Sequence, residues 1–153
     1  MWKIIENLYL GTKEDSNNAI GLRENGITHI LNCAAELPCC FEGSFDYLHL
    51  LLKDPDETLR EKLAASLAFI DRGRAAGIVI VDCSGAISRS PAVVLAYLLH
   101  CGYPLDEATR TIKKTIRTRP NYIFLRQICD HFGQNSSDKD IATLSEELGI
   151  ANS

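Results

Sequence analysis

Short apolar runs and amphipathic stretches alternate along the first half of the chain. The apolar runs predict strands at 4–11, 27–34, 47–52 and 78–81, the first of them a strand pair or one bent strand. Helical spacing of apolar residues predicts helices at 13–26 and 58–72. An alternation of strands and helices is typical of an α/β domain.

Helices dominate the second half of the chain. The segment 91–100 is apolar nearly all round and predicts a central buried helix, and amphipathic spacing predicts further helices at 105–117, 121–132 and 141–148. The polar stretch 133–139 is typical of a linker. We therefore expect one domain over 1–133 and a C-terminal tail, 134–153, that carries a short helix. The order in which the strands pair does not follow from the pattern.

Composition and charge remove several classes of function. The 153 residues carry a formal net charge of −4, which gives no overall reason to expect nucleic acid or an anionic membrane as a partner. No apolar run approaches the ~20 residues of a transmembrane helix. The six cysteines include no C-x-x-C pair, so the spacing of a metal site is absent. The first residues lack the apolar core of a secretory signal, and we expect reduced thiols and a cytoplasmic location, with the nucleus as the alternative.

One loop carries candidate chemistry. The sequence VIVDCSGAISRSP, at 79–91, places Cys83 after an apolar strand and Arg89 and Ser90 before an apolar helix. A strand–loop–helix unit directs backbone N–H groups toward one point and forms an anion site, and small loop residues let an oxyanion come close. The five residues between the cysteine and the arginine are Ser84, Gly85, Ala86, Ile87 and Ser88. Arg89 would supply a planar pair of donors to phosphate oxygens, and Cys83 in that positive field would be a thiolate nucleophile.

A thiolate that attacks phosphorus displaces an oxygen that needs a proton, so a general acid should accompany the loop. The stretch LLLKDPDET offers Asp54 and Asp56 directly after a strand. Both residues also suit a turn or a helix N-cap, and position alone leaves these alternatives open.

Together these stretches resemble the cysteine-based protein tyrosine phosphatases, in particular the small atypical dual-specificity phosphatases. The segment VIVDCSGAISRSPAVVLAYLL is similar to the family signature H-C-x-x-G-x-S-R-S and the helix that follows it. The stretches NLYLG, GITHILNCAAELP and YLHLLLKDPDE, and the closing helices with their Pro-Asn, are similar to the rest of the domain over about residues 2–133. The resemblance implies a protein-tyrosine-phosphatase-like fold, in which a central twisted mixed sheet of about five strands is flanked by helices.

The resemblance also implies a role for each matching residue. Cys83 would be the nucleophile, Arg89 would bind phosphate, and Ser90 would help to release the phosphoenzyme. Asp54, which the register selects over Asp56, would be the general acid. The remaining implied features are a cradle of backbone N–H groups at 84–89, and a bracing role for Asn121, which also suits a plain helix N-cap. No metal ion and no organic cofactor is implied.

Two positions in the loop depart from the family pattern. The histidine before the cysteine is Asp82 here, and a carboxylate beside Cys83 disfavours the thiolate, unless Asp82 instead accepts N–H bonds from the loop. The glycine three residues after the cysteine is Ala86. If that position has a positive φ, alanine costs roughly 1 kcal/mol or more. Because the nucleophile, the arginine and the acid all remain, we expect an enzyme of reduced activity rather than an inactive one.

A further candidate is Cys33, which lies at the end of the predicted strand 27–34. Some relatives carry a cysteine here that traps the oxidised nucleophile in a disulfide, so the resemblance makes Cys33 a candidate redox partner of Cys83. A reactive thiol with a resolving partner is the arrangement that oxidation sensors use.

The predicted function is that of a protein phosphatase, a phosphomonoester hydrolase acting on phosphorylated protein substrates. It would cleave phosphotyrosine and phosphoserine or phosphothreonine through a phosphocysteine intermediate. The loop at 84–88 contains no lysine, which argues against phosphoinositide substrates. One alternative is a pseudophosphatase that binds phosphoproteins without turnover. The other is a sulfurtransferase-like domain, which the SRS motif and the Pro-Asn helix disfavour.

Overall fold

The computed structural model of the chain describes residues 1–150. The strands there are β1 (Trp2–Ile5), β2 (Leu8–Gly11), β3 (Ile27–Ala34), β4 (Asp46–Leu52) and β5 (Ile78–Asp82). The helices are α1 (Lys13–Ser16), α2 (Ala19–Glu24), α3 (Leu59–Ala76), α4 (Arg89–His100), α5 (Leu105–Lys113), α6 (Tyr122–His131) and α7 (Asp138–Gly149). Not one of these seven helices combines the length and the apolar character that crossing a membrane requires.

The five strands form one mixed sheet in the order β1-β2-β5-β3-β4. The β1–β2 pair is antiparallel, as the strand pair predicted at 4–11, and every other pair is parallel. The predicted α/β class, with a five-stranded mixed sheet flanked by helices, is therefore confirmed. Since β5 pairs with β2 on one side and β3 on the other, the carboxyl ends of three parallel strands meet at one edge.

Strand β5 is buried on both faces because helices cover both sides of the sheet. Val79 and Val81 point into the larger core cluster, which they share with α3 to α7. Ile80 points the opposite way, into a smaller cluster with Leu22 of α2 and Phe45. A strand whose alternate residues are apolar on both faces is typical of the centre of a parallel sheet, and it fixes the loop after β5 firmly.

The helices predicted at 13–26 and 105–117 have different extents in the structure. The single helix predicted at 13–26 is split into α1 and α2, because the Asn18 side chain accepts a hydrogen bond from Gly21 N and begins a new helix. The helix predicted at 105–117 ends at Lys113 as α5. Beyond Lys113, Thr118 N donates to Leu148 O and Arg119 N donates to Ile87 O. These backbone N–H groups therefore bond to other parts of the chain and do not continue the helix.

Helix α7 lies where the tail pattern predicts a short helix. Its first turn is closed by a capping box between Ser137 and Asp140. Its apolar face is buried in the larger core cluster through Ile141, Leu144 and Leu148. The helix therefore packs against the rest of the protein, and the division into a domain at 1–133 and a tail at 134–153 stays a prediction.

Candidate active site

The loop after β5 is held in place by hydrogen bonds to its carbonyl groups from outside. Ser84 O accepts from Lys13 N at 3.1 Å, and Ile87 O accepts from Arg119 N at 2.7 Å. Helix α4 begins at Arg89, immediately after the loop, and is buried along almost its whole length. The carbonyl groups are thus turned outward at two points, and the amino end of a buried helix closes the loop.

Cys83 lies at the start of this loop and is almost wholly buried. Its Sγ is 3.0 Å from Ser90 Oγ in the first turn of α4, and either atom can be the donor. When the sulfur carries a negative charge, the Ser90 hydroxyl donates to it, and a donor to the charged form stabilises that form. The sequence predicted both residues as site residues, and the structure brings them into direct contact.

Arg89 is buried with its guanidinium group held in a fixed orientation. Nη1 and Nη2 donate to the two carboxylate oxygens of Glu36 at 2.6 Å and 2.5 Å, and Nη1 also donates to Leu52 O at 3.1 Å. An arginine has five N–H donors, so these bonds leave one N–H on Nε and one on Nη2. The two remaining donors lie on the same edge of the group and suit two oxygens of one phosphate.

Glu36 is the member of this constellation to which the sequence analysis assigned no role. Its hydrogen bond to Arg89 lowers the pKa of the Glu36 carboxyl from 4.5 to about 2, so the pair stays charged throughout the neutral range. Glu36 follows β3 at the same carboxyl edge of the sheet as the loop. An acidic residue directly after a buried parallel strand was the signal that could have identified it.

Asp54 lies across from the loop and contacts it through one hydroxyl group. Ser88 Oγ donates to Asp54 Oδ1 at 3.0 Å and accepts from Asn121 N at 2.9 Å, so this serine connects the acid to the start of α6. The Asn121 side chain also accepts from Ile123 N at 2.9 Å, as an N-cap does. The side chain of Asn121 thus acts as an N-cap, and its bracing role stays a prediction.

Asp56 has a different environment from Asp54. Burial raises its pKa, but donors from Thr58 and Lys53 outweigh that effect and bring the pKa to about 2. Its carboxylate accepts from Lys53 N at 3.0 Å, from Thr58 N at 2.9 Å and from Thr58 Oγ1 at 2.6 Å. A carboxylate that is this well bonded is a structural cap, which supports Asp54 as the acid.

Asp82 is fully buried at the end of β5, and its Oδ1 has no hydrogen-bond partner in residues 1–150. Burial raises the pKa of this carboxyl from 3.8 to about 7, although the Ser16 side chain partly opposes the shift. Near neutral pH the group is therefore a mixture of the neutral acid and the charged carboxylate. The alternative, in which Asp82 accepts N–H bonds from the loop, has no support at Oδ1, which lacks a hydrogen-bond partner within residues 1–150.

Replacing Asp82 with asparagine should remove a pH dependence of stability. The folded protein keeps the Asp82 proton up to about pH 7, whereas the unfolded chain releases it near pH 3.8. The wild-type free energy of unfolding should therefore fall as pH rises, by roughly 3 kcal/mol between about pH 5 and about pH 8. Urea denaturation of both proteins at the two pH values measures the effect. Parallel pH profiles for the two proteins would contradict it.

Ala86 has a backbone φ of 55°, in the left-handed region that disfavours residues with a Cβ atom. Strain was expected at this position only if its φ is positive, and its φ is positive. The Ala86 methyl group is also fully buried. A glycine would relieve the strain but would lose the buried methyl group and would have more freedom in the unfolded chain.

These opposing effects give a testable difference between two buried alanines. Ala96 is equally buried but lies inside α4, so Ala96→Gly should lower the free energy of unfolding by roughly 1.5–2 kcal/mol. At Ala86 the relief of strain offsets most of that loss, so Ala86→Gly should cost less than about 1 kcal/mol. Chemical denaturation of both variants is the measurement. Equal losses would mean that Ala86 is not strained.

Cys33 lies near Cys83 because β3 is paired with β5, which leads into the loop of Cys83. Asn32 of β3 is aligned with Asp82 of β5, and the two cysteines are the residues that directly follow them in the chain. Burial raises the pKa of the Cys33 thiol well above 9.0, and the neighbouring Cys83 raises it further. Both thiols are free in this structure. Within residues 1–150, no group of three or more His, Cys, Asp or Glu side chains could hold a metal ion.

Comparisons with known proteins identify the family to which the chain belongs. A family model described as dual specificity phosphatase, catalytic domain, matches residues 8–134. Protein phosphatase Slingshot of Drosophila melanogaster is 32% identical over 154 residues, covering 98% of this chain and 15% of the relative. Human dual specificity protein phosphatase 6 is 36% identical over 135 residues, covering 84% of this chain and 35% of the relative. The chain thus spans only a minor part of the length of these relatives.

Solved structures show the same relationship. Human DUSP28 superimposes with a TM-score of 0.80 at 25% identity, covering 87% of this chain and 96% of that chain. The human tyrosine phosphatase-like serine/threonine/tyrosine-interacting protein gives a TM-score of 0.78 at 26% identity, covering 87% and 95%. The match of the family model over most of the chain shows that this chain belongs to the dual specificity phosphatase catalytic-domain family.

Proposed function

We propose that this chain is a protein phosphatase that hydrolyses phosphotyrosine and phosphoserine or phosphothreonine in proteins through a phosphocysteine intermediate. The observation that carries the proposal is the convergence of three groups on one loop. The Cys83 thiol is hydrogen-bonded to a hydroxyl group, and the Asp54 carboxyl is hydrogen-bonded to the loop. The Arg89 guanidinium group has two unused donors on one edge.

The loop at 84–89 would bind the phosphate through its backbone and through Arg89. Because the Ser84 and Ile87 carbonyl groups bond outward, we infer that the loop amides face its interior. Arg89 would donate from Nε and Nη2 to two phosphate oxygens, while Glu36 holds the guanidinium plane in position. Donors fixed in a buried site stabilise the charge on a transferring phosphoryl group without needing to reorient.

The first chemical step would transfer the phosphoryl group to the enzyme. The Cys83 thiolate attacks phosphorus, so that an S–P bond forms as the P–O bond to the substrate breaks. Asp54 in its protonated form gives its proton to the departing oxygen. The products of this step are the free hydroxyl of the substrate, a phosphocysteine and an Asp54 carboxylate.

The second step would release phosphate. The oxygen of a water molecule attacks phosphorus while the Asp54 carboxylate accepts a proton from that water. The S–P bond breaks as the new P–O bond forms. The Ser90 hydroxyl, 3.0 Å from the sulfur, donates a hydrogen bond to the thiolate as it departs. The cycle returns Asp54 to its protonated form and Cys83 to its thiolate, with inorganic phosphate as the product.

Asp82 should make hydrolysis slower than it would be with a neutral or basic residue next to Cys83. A carboxylate adjacent to the nucleophile disfavours the thiolate, and burial places the pKa of Asp82 at about 7. The charge would be present at mildly basic pH. A higher turnover of Asp82→Asn than of the wild type at about pH 8 would support this damping, and an unchanged rate would contradict it.

The second candidate function is a module that binds phosphoproteins without hydrolysing them. It is favoured by the same buried Asp82, since a chain that cannot form the thiolate would still hold phosphate through Arg89 and the loop. One of the solved structures similar to this chain is named a tyrosine phosphatase-like interacting protein.

Cys33 is proposed as a resolving thiol for the same nucleophile. A peroxide would oxidise the Cys83 thiolate to a sulfenic acid, and Cys33 would then attack that sulfur and expel water to form a disulfide. The raised pKa of Cys33 predicts a slow second step, because the thiolate is the attacking form. Mass spectrometry after mild peroxide treatment tests this, and the absence of a Cys33–Cys83 crosslink would disprove it.

Two assays together separate the candidate functions. The chain is incubated with phosphotyrosine and phosphothreonine peptides, and released phosphate is measured against a buffer blank. Acid-quenched samples are digested, and the peptide that contains Cys83 is examined for a phosphate adduct. Release with an adduct supports the phosphocysteine route. No release above the blank, combined with measurable peptide binding, would leave the binding module as the function.

A further inference from the structure

The segment 108–129, which runs from within α5 to within α6, carries a charge opposite to that of the protein as a whole. Six of the sixteen basic residues and none of the twenty acidic residues lie in 108–129, although the chain has a net charge of −4. Its basic residues include four exposed ones, Arg110, Lys114, Arg117 and Arg119. A concentrated positive segment of this kind attracts anionic groups.

Arg119 is the residue of this segment that reaches the candidate active site. Its backbone N donates to Ile87 O in the catalytic loop at 2.7 Å. Arg119 also lines an open cleft of about 370 Å³, together with Asp54, Ile87 and Tyr122. Among the residues that line the cleft, Arg119 is the only one with a positively charged side chain. Asp54, which also lines it, belongs to the proposed active site. The cleft is therefore continuous with the place where a phosphorylated side chain would react.

Helix α7 contributes Ser145 to the lining of this cleft. It is held there at both ends. Leu148 O accepts from Thr118 N at 3.0 Å, and Asp138 accepts from Tyr122 Oη and from Arg126 Nη2. Since the family model ends at residue 134, Ser145 and the rest of α7 lie outside the matched part of the chain.

We propose that Arg119 determines substrate specificity by binding an anionic group on a residue that flanks the phosphorylated residue. The anion is a carboxylate or a second phosphate, both of which match a guanidinium group. Ile87, which is 56% exposed, and Tyr122 give apolar surface for the chain between the two groups. A protein substrate fits these observations better than an anionic membrane, because a single arginine within a walled cleft selects a protruding group. This inference rests on the proposed phosphatase function and names its substrate class.

The test compares phosphotyrosine peptides that differ only in their flanking residues. The first peptide has Asp and Glu beside the phosphotyrosine, and the second has Asn and Gln at the same positions. The third keeps the phosphotyrosine and carries a non-hydrolysable phosphonate on the flanking residue. We expect kcat/KM to be roughly five- to tenfold higher for an anionic peptide than for the neutral one. Arg119→Gln should reduce that ratio to about one. A preference for the phosphonate alone assigns the cleft to a second phosphate, and a preference for both anions assigns it to either group.

Arg117→Gln is the matched control, because it removes the same charge from the same exposed segment at a residue that does not line the cleft. This variant should keep the wild-type ratio. An equal loss of the ratio in both variants would mean that the whole segment acts through its field, and it would overturn the assignment to Arg119. A wild-type ratio near one would overturn the inference while hydrolysis itself upheld the proposed function.

Binding measurements keep the inference testable if the chain does not hydrolyse the peptides. Fluorescence anisotropy with Cys83→Ser would then report affinity for the same three peptides. A preference for anionic flanks that Arg119→Gln removes would support the inference although the proposed function had failed. Vesicles that contain phosphatidylserine test the membrane alternative. If Arg119→Gln abolished sedimentation with them and left the peptide preference intact, the inference would be wrong.

Discussion

Replacing Cys83 with serine should lower the hydrolysis of an aryl phosphate by roughly 10⁴-fold or more, with phosphate binding retained. The serine hydroxyl ionises far less readily than the thiol, so the variant has almost no anionic nucleophile at neutral pH. Arg89 keeps its contacts with Glu36 and Leu52, and Arg89 and the loop amides would still hold the phosphate. Initial rates of hydrolysis, together with phosphopeptide affinity by anisotropy, measure both halves of the prediction.

Cys129 provides the control for this substitution. It is a fully buried core cysteine on α6 that does not belong to the proposed site. Cys129→Ser makes the same chemical change, so it should lower stability while the remaining folded protein keeps its turnover. Equal rates for wild type and Cys83→Ser at every pH would show that the chain is not a phosphocysteine enzyme.

Replacing Arg89 with lysine should lower kcat/KM by about 10²–10³-fold although the positive charge is kept. Lysine cannot donate to Glu36 and Leu52 while presenting two parallel N–H groups to a phosphate. The loss arises because the transition state carries more charge on its oxygens, which the two fixed donors of Arg89 would meet. Steady-state kinetics with a phosphotyrosine peptide give the comparison.

Arg110→Lys is the corresponding control for an arginine whose function is a surface ion pair. Arg110 and Asp106 are both largely exposed and form an i,i+4 pair on α5, so this change should leave kcat/KM within about twofold. If Arg89→Lys had an effect as small as Arg110→Lys, charge alone would suffice at the site, and the planar geometry held by Glu36 would not matter.

The strands were predictable and their order was not, for one physical reason. An apolar run such as 27–34 records only that a segment is buried, and β3 has those same bounds. Which strand lies beside which depends on contacts between distant residues, and β5 inserts between β2 and β3 without a local signal. The same limit explains the end of α5, which depends on backbone bonds to Ile87 and Leu148 far along the chain.

The candidate site could be predicted from residues that lie close together in the sequence. The prediction was incomplete for residues that are distant in the sequence and meet only in the fold. Cys83, Arg89 and Ser90 lie within eight residues of one another, so their spacing alone indicated a phosphate loop. Glu36 is 53 positions from Arg89 and was missed. The Ser88 bond to Asp54, over 34 positions, could not be read from the sequence either. The positive φ of Ala86 was a condition that only coordinates could resolve.

The central place of β5 in the sheet also sets the order in which the protein can assemble. Its neighbours β2 and β3 come from the first 34 residues, whereas β5 begins at Ile78, so both pairings join distant segments. Pairings of this kind require long loops to close and form slowly. The loop that carries Cys83 therefore acquires its shape only when the sheet is complete, and a partly folded chain would not expose an organised nucleophile. Refolding experiments should accordingly show phosphate binding returning together with the slowest recovery of β-sheet structure.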